Sequence, residues 1–255
     1  MKKRFSIFTT IQNQVQHLVL VLLFVPLLCG CNAGKKRSIV ILYENDAHCV
    51  VDGYACLRGL ADAVSDTSWV GLTSSGDFLH GGTAGAISEG RFVVDIMKEM
   101  GYDAVGLGNH EFDFGVPHLT QLVKESGLPI VNMNLRSIHP DSLFFTPYII
   151  KDFGGTKIAF VGVVTPESLV SEAYSFYDKQ GKQKLCLCEN NLVDEVQKTV
   201  DEARKEGASH VILLSHLGEA SAKNFLTSHR LVGSTRGIDV VLDGHTHSTI
   251  PCDTV

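Results

Sequence analysis

Five short runs in the chain carry residue types that hold divalent cations: Asn45-Asp46-Ala47-His48, Gly76-Asp77, Gly108-Asn109-His110-Glu111, a lone His216, and Gly244-His245-Thr246-His247. Asp46, His48, Asp77, Asn109, His216, His245 and His247 together supply the nitrogen and oxygen donors that a pair of transition-metal ions takes. Any one of them alone reads as a hydrogen-bonded loop residue; the chemistry lies in the set. Each run stands directly after a short apolar stretch, and in open α/β sheets ligands bind where strands end in their carboxyl-terminal loops. The expectation is that these loops meet in one pocket and support metal-assisted hydrolysis. Beyond His17 in the N-terminal segment, the other histidines, His80, His118, His139, His210 and His229, show no such placement and read as surface or structural residues.

The elements that must position these donors alternate between β-branched runs and helical patterns, the signature of an α/β domain. Strands are expected at Ser38–Tyr43, Trp69–Ser74, Ala104–Leu107, Ile130–Asn132, Ile158–Val164, His210–Ser215 and Asp239–Leu242. Several are apolar without alternation, which predicts cover on both faces. Helices are expected at about Leu57–Val64, Arg91–Met100, Val116–Ser126 and Leu192–Glu206, with Gly101, Gly127 and Gly207 placed to terminate three of them. Thr146 to Gly155 reads as a hairpin arm turning at Gly154-Gly155, and the polar stretch Leu169 to Cys188 as a flexible insertion. Gly81-Gly82-Thr83 and Gly85 have no following Lys-Ser/Thr pair and so fit no phosphate-binding P-loop; they are expected to shape the turn after Asp77.

The order of these motifs resembles the calcineurin-like metallophosphoesterase superfamily, and Asn109-His110-Glu111-Phe112-Asp113 resembles the N-terminal catalytic domain of 5′-nucleotidases. The resemblance implies an α/β sandwich of two mixed β-sheets flanked by helices. It assigns Asp46, His48 and His247 to one metal, Asn109, His216 and His245 to the other, and makes Asp77 the bridge. Zinc, manganese, cobalt and iron all suit such donors. It also places His110 outside the metal shell, against the substrate phosphate and leaving oxygen, with Asp113 orienting its ring; Glu111 reads as structural. Cys49 stands where the family usually has glycine. Two divalent ions bring more positive charge than two carboxylates and a bridging hydroxide cancel, so the site should attract a phosphate anion. The implied activity is in-line hydrolysis of small phosphate esters, nucleoside 5′-monophosphates foremost. The donor set does not read the leaving group, so cyclic-phosphodiester and sulfur-ester hydrolysis remain alternatives. So does a subunit that acts only with a separate C-terminal nucleotidase-domain polypeptide.

The N-terminus adds a cellular address. Residues 1–30 read as a lipoprotein-type signal peptide: three basic residues within Met1 to Arg4, an apolar run from Leu18 to Leu28, and Gly30 before Cys31, the expected lipidation site. That run is shorter than the ~20 residues a spanning helix needs. Residues 31–37, with Lys35, Lys36 and Arg37, read as a tether, and 38–255 as the metallophosphoesterase domain, expected to be incomplete at its C-terminal end. Export to a bacterial cell envelope and a lipid-held membrane association follow. A net charge of −6 and no basic stripe argue against a nucleic-acid polymer as partner. In that oxidising setting Cys49 and Cys56 either bridge or remain free thiols. The spacing of Cys186 and Cys188 suits no structural zinc site.

Overall fold

The computed structural model describes residues 37–221, 224–250 and 253–254; the signal peptide expected at 1–30, and the tether through residue 36 with Cys31, lie outside the described residues. The chain opens with β1 (Ser38–Glu44), α1 (Asp52–Ser65), β2 (Ser68–Ser74), α2 (Gly82–Ser88), α3 (Arg91–Met100), β3 (Ala104–Val105) and α4 (Val116–Ser126). It continues with β4 (Leu135–Ile138), β5 (Asp141–Leu143), β6 (Tyr148–Phe153), β7 (Thr156–Val164), α5 (Ser168–Ser171) and β8 (Leu185–Leu187). The described part ends with α6 (Leu192–Lys205), β9 (His210–His216), α7 (Ser228–Gly233) and β10 (Val240–Asp243).

Two sheets form the sandwich. In the first, β1, β2 and β3 run parallel in that order; in the second, the order is β10-β9-β7-β6, parallel except for the antiparallel pair β6 and β7. The period-two geometry of a strand divides each central strand between two cores. Ile39, Ile41 and Tyr43 of β1 meet Ile158 and Phe160 of β7 and Ile212 and Leu214 of β9 between the sheets. Val40 and Leu42 face outward against Leu57 of α1, Met97 of α3 and Leu119 of α4. On the far side, Ala159, Val161 and Val163 of β7 pack against Val196 and Val200 of α6. This accounts for the unbroken apolar runs, since both faces are covered.

Gly154 and Gly155, at φ 65° and 91°, turn the expected hairpin between β6 and β7, and Gly101 and Gly127 cap α3 and α4 in the left-handed region. Two expectations, one of a strand and one of an insertion, are corrected. Ile130–Asn132 contributes single bridges, Val105 with Ile130 and Val131 with Thr146, in place of a full strand. The stretch from Leu169 to Cys188 is no loose insertion: it holds most of α5, a 3-10 turn at Ala173–Phe176 with Phe176 buried, and β8. In a third, antiparallel sheet absent from the sequence reading, β4 lies between β5 and β8. Cys49 is buried and Cys56 exposed, both as free thiols, so the bridge is not made. Of the glycines after Asp77, only Gly81 precedes the short helix α2, at φ 154°; Gly82 opens that helix and Gly85 lies within it, so the stretch expected as a turn is mostly helical.

Candidate metal centre

Every donor run lies at the carboxyl end of a parallel strand. Asp46 and His48 follow β1, Asp77 follows β2, Asn109 follows β3, His216 ends β9, and His245 and His247 follow β10. The first two loops run side by side beyond their strands: the amides of Asp46, His48 and Cys49 donate to the carbonyls of Gly76, Asp77 and Phe78. Glu111, fully buried, joins the next loop to them. Its carboxylate accepts from the amides of Asp77 at 2.7 Å, Phe78 at 2.9 Å, Leu79 at 3.0 Å and Gly108 at 2.6 Å. Burial and then the neighbouring Asp77 carboxylate push the Glu111 carboxyl up to about 7 against those hydrogen bonds. The second sheet closes the pocket through the His245 amide, which donates to Asp46 Oδ1 at 3.0 Å.

Backbone conformation records how tightly these loops are wound. Asp46, His48, Asp77, His245 and His247 all have positive φ, a region L-residues rarely occupy. Cys49 shares it at φ 58°, which gives a physical reason why glycine suits that position. Two glycines permit close approaches that no side chain would. A Cβ on Gly108 would lie 2.2 Å from Asp77 Oδ1, and one on Gly81 2.0 Å from the His48 carbonyl oxygen.

The donor atoms of Asp46, His48, Asp77 and His247 lie within 4.8 Å of one another. His48 Nε2 stands 3.1 Å from His247 Nε2 and 3.8 Å from Asp77 Oδ2, and His247 Nε2 is 3.5 Å from Asp46 Oδ1. His216 Nε2 approaches the same Asp77 Oδ2 at 3.1 Å, and His245 Nδ1 lies 3.0 Å from Asn109 Oδ1. Separations of about 3 Å are those of atoms sharing a cation bound at ~2.0–2.2 Å.

The donors fit metal ions on a further ground. His216 is fully buried; its Nδ1 pairs with the Ser75 carbonyl at 2.8 Å, while its Nε2 is buried with no hydrogen bond. With the proton on Nδ1, Nε2 offers a lone pair to a ligand site, as in metal-binding imidazoles whose other nitrogen is anchored to a carbonyl. His48 is held likewise, its Nδ1 2.9 Å from the His80 carbonyl. Asp46 and Asp77 are buried to 1% exposure, and among the described residues the cationic partners recorded for them are imidazoles. Burial would raise the Asp77 carboxyl, but the His216 imidazole overrides it and holds the group below the usual carboxylate range. Reciprocally, burial disfavours a charged His216 while the Asp77 carboxylate raises the imidazole, so without a cation Nε2 holds a proton, and a metal ion bound there would take that proton's place. The pocket demands positive charge, and divalent ions are its natural source.

His110 and Asp113 sit beside this group. The 3-10 turn Asn109–Phe112 brings His110 Nδ1 to 2.8 Å from Asp113 Oδ2, while the His110 amide donates to Asp77 Oδ1 at 2.9 Å. The Asp113 hydrogen bond raises the His110 imidazole to about 9, which favours its protonated form. His80, read as surface or structural, is partly exposed and borders this group: its ring lies 5.8 Å from that of His110 and it contacts Asp113. Its position three residues after Asp77 is the signal that was available. Glu167 reaches His245 Nε2 at 3.5 Å, and Tyr174 donates its hydroxyl to the Asp113 carbonyl; Tyr174 comes from the stretch read as an insertion and Glu167 from just before it. His118, His139, His210 and His229 are not brought to this cluster.

No family model matches the chain. It is 31% identical over 238 residues to a snake venom 5′-nucleotidase of Gloydius brevicauda, a match covering 85% of this chain and 38% of that protein. It is 30% identical over 200 residues to the 2′,3′-cyclic-nucleotide 2′-phosphodiesterase/3′-nucleotidase of Haemophilus influenzae, covering 71% of this chain and 29% of that one. The chain therefore spans well under half the length of these relatives. Among solved structures, the calcineurin-like phosphoesterase YfkN from Bacillus subtilis superposes with a TM-score of 0.67 at 23% identity, over 84% of this chain and 73% of that chain. The 5′-nucleotidase precursor from Thermus thermophilus does so with a TM-score of 0.58 at 24% identity, over 76% and 36%.

Proposed function

The chain belongs to the calcineurin-like metallophosphoesterase superfamily, and from that premise we propose that it hydrolyses small phosphate monoesters, nucleoside 5′-monophosphates foremost, with two divalent ions. The observation that carries this reading is one Asp77 oxygen, Oδ2, approached by two imidazoles, His48 Nε2 at 3.8 Å and His216 Nε2 at 3.1 Å. Asp46, His48 and His247 would hold one ion and Asn109, His216 and His245 the other, with Asp77 shared; zinc, manganese, cobalt and iron all fit. When bound, such ions supply Lewis acidity and lower the pKa of coordinated water. The protein's own residues do the rest. Asn109 and the imidazoles contribute donors without negative charge, so a phosphate anion is not repelled. His110, held protonated by Asp113, faces the reacting group and stabilises charge on the leaving oxygen.

A second reading, cyclic-nucleotide phosphodiesterase activity, is favoured by the name and 30% identity of the Haemophilus influenzae relative. A third reading keeps the same site inactive until a separate C-terminal nucleotidase-domain polypeptide is bound. The lipoprotein-type N-terminus supports export and attachment of the chain to a bacterial envelope membrane through Cys31.

One purification tests these readings. The full chain should fractionate with membranes unless Cys31 is replaced by serine. In detergent micelles with manganese, zinc or cobalt, it should release phosphate from nucleoside 5′-monophosphates faster than from 2′,3′-cyclic nucleotides. The reverse order favours the phosphodiesterase. Turnover only after adding a nucleotidase-domain polypeptide favours the assembly-dependent subunit, and inactivity under every condition defeats the enzymatic reading.

A further inference from the structure

A second group of donors borders the metal pair and is not used by it. His80, His110 and Asp113 each offer one ligand atom, and these atoms lie within 4.8 Å of one another. Both imidazoles turn Nδ1 to the same oxygen, Asp113 Oδ2. Orienting His110 for catalysis needs only one of those contacts. The second imidazole makes the group a two-histidine, one-carboxylate set, a donor combination that zinc accepts. The cluster is also accessible, with the side chains of His80 and His110 44% and 36% exposed, so solvent can complete the coordination.

Its frame is held from several directions. Phe114 packs edge-on against His80 with ring centroids 5.5 Å apart, the Tyr174 hydroxyl donates to the Asp113 carbonyl, and Glu172 hydrogen-bonds the Asp113 carboxyl. His80 comes from the loop after β2 and the other two from the turn after β3, loops already tied together by Glu111. The three donors are thus set by the same loops that form the metal pair, with the His110 ring centroid 5.1 Å from that of His48.

We propose that His80, His110 and Asp113 form a third metal site, which takes zinc when that ion is in excess and thereby inhibits the enzyme. Zinc would displace the protons shared between the imidazoles and Asp113, and those protons would pass to solvent. His110 would then be a ligand and no longer a hydrogen-bond donor to the leaving oxygen. The inhibitory consequence rests on the phosphoesterase reading; the binding of zinc does not.

The test uses the full chain in detergent micelles, stripped with chelator and titrated with zinc, with bound metal counted by elemental mass spectrometry. Cobalt absorption spectra serve as a parallel readout. The wild-type chain should take a third, weaker equivalent. In His80→Asn that equivalent should weaken by about tenfold or more while the first two remain, and the zinc-inhibition curve should shift by the same factor. His80→Gln guards against a substitution that fails to fold, and retention of the first two equivalents marks a folded chain. Saturation at two equivalents in the wild type, or identical zinc uptake in wild type and folded variant, overturns the proposal. Should neither protein turn over any phosphate ester, the phosphoesterase reading falls while the zinc count still decides this one.

Discussion

His110 and Asn109 are neighbours in the chain with different tasks, and the local geometry separates them. Asn109 turns Oδ1 to His245, whereas His110 turns its ring to Asp113 and binds Asp77 only through its main-chain amide. Replacing His110 by alanine should therefore lower kcat by about 10²–10⁴-fold, the usual range for general acid–base assistance, and leave both tight metal equivalents in place. Metal analysis beside steady-state kinetics checks this; loss of the metals would make His110 a ligand of the pair. The left-handed conformations of Asp46, His48, Asp77, His245 and His247 each cost about 1–3 kcal/mol, so these residues are held by their surroundings against local preference.

Those surroundings are loops lashed to one another, and Glu111 is the lashing. A carboxylate accepting four buried amides cannot be removed without orphaning the donors it serves. Glu111→Ala should lower unfolding stability by about 3 kcal/mol or more and weaken metal binding as the Asp77 loop loosens. Denaturant titration of the metal-free chain isolates the structural part; a change near zero there would mean the loops hold their form without the strut. The short 3-10 turn after β3 does related work, since it brings His110 and Asp113 onto one side within a single turn.

The metal centre belongs to both sheets of the sandwich. Asp46, His48, Asp77 and Asn109 descend from the first sheet and His216, His245 and His247 from the second. The sheets are already joined near the site by the Ser75 hydroxyl donating to the Leu242 carbonyl at 2.7 Å, and by His216 Nδ1 on the Ser75 carbonyl. Without ions, buried carboxylates from one sheet would confront imidazoles from the other. Metal binding should therefore stabilise the whole domain. At free metal a hundredfold above Kd the gain is about 2.7 kcal/mol per ion, or a Tm rise of about 5–10 °C, read by differential scanning calorimetry with and without chelator. An unchanged Tm would mean that the donors do not bind ions across the sheets.

Strand-exit motifs, apolar strands covered on both faces, the Gly154-Gly155 hairpin and the glycine helix ends were all legible in the sequence, because each is written in adjacent residues or at a fixed period. The ligand candidates were legible too, since a polar run after an apolar strand is a local pattern. What the chain order could not state is which atoms share a neighbour. Only folding puts His80 on Asp113, sets Glu111 beneath two loops, leaves His216 Nε2 without a hydrogen bond, and turns a polar stretch into α5, a buried Phe176 and β8. Those outcomes depend on contacts between residues far apart in sequence, decided by how two sheets and their crossing loops pack into a single volume.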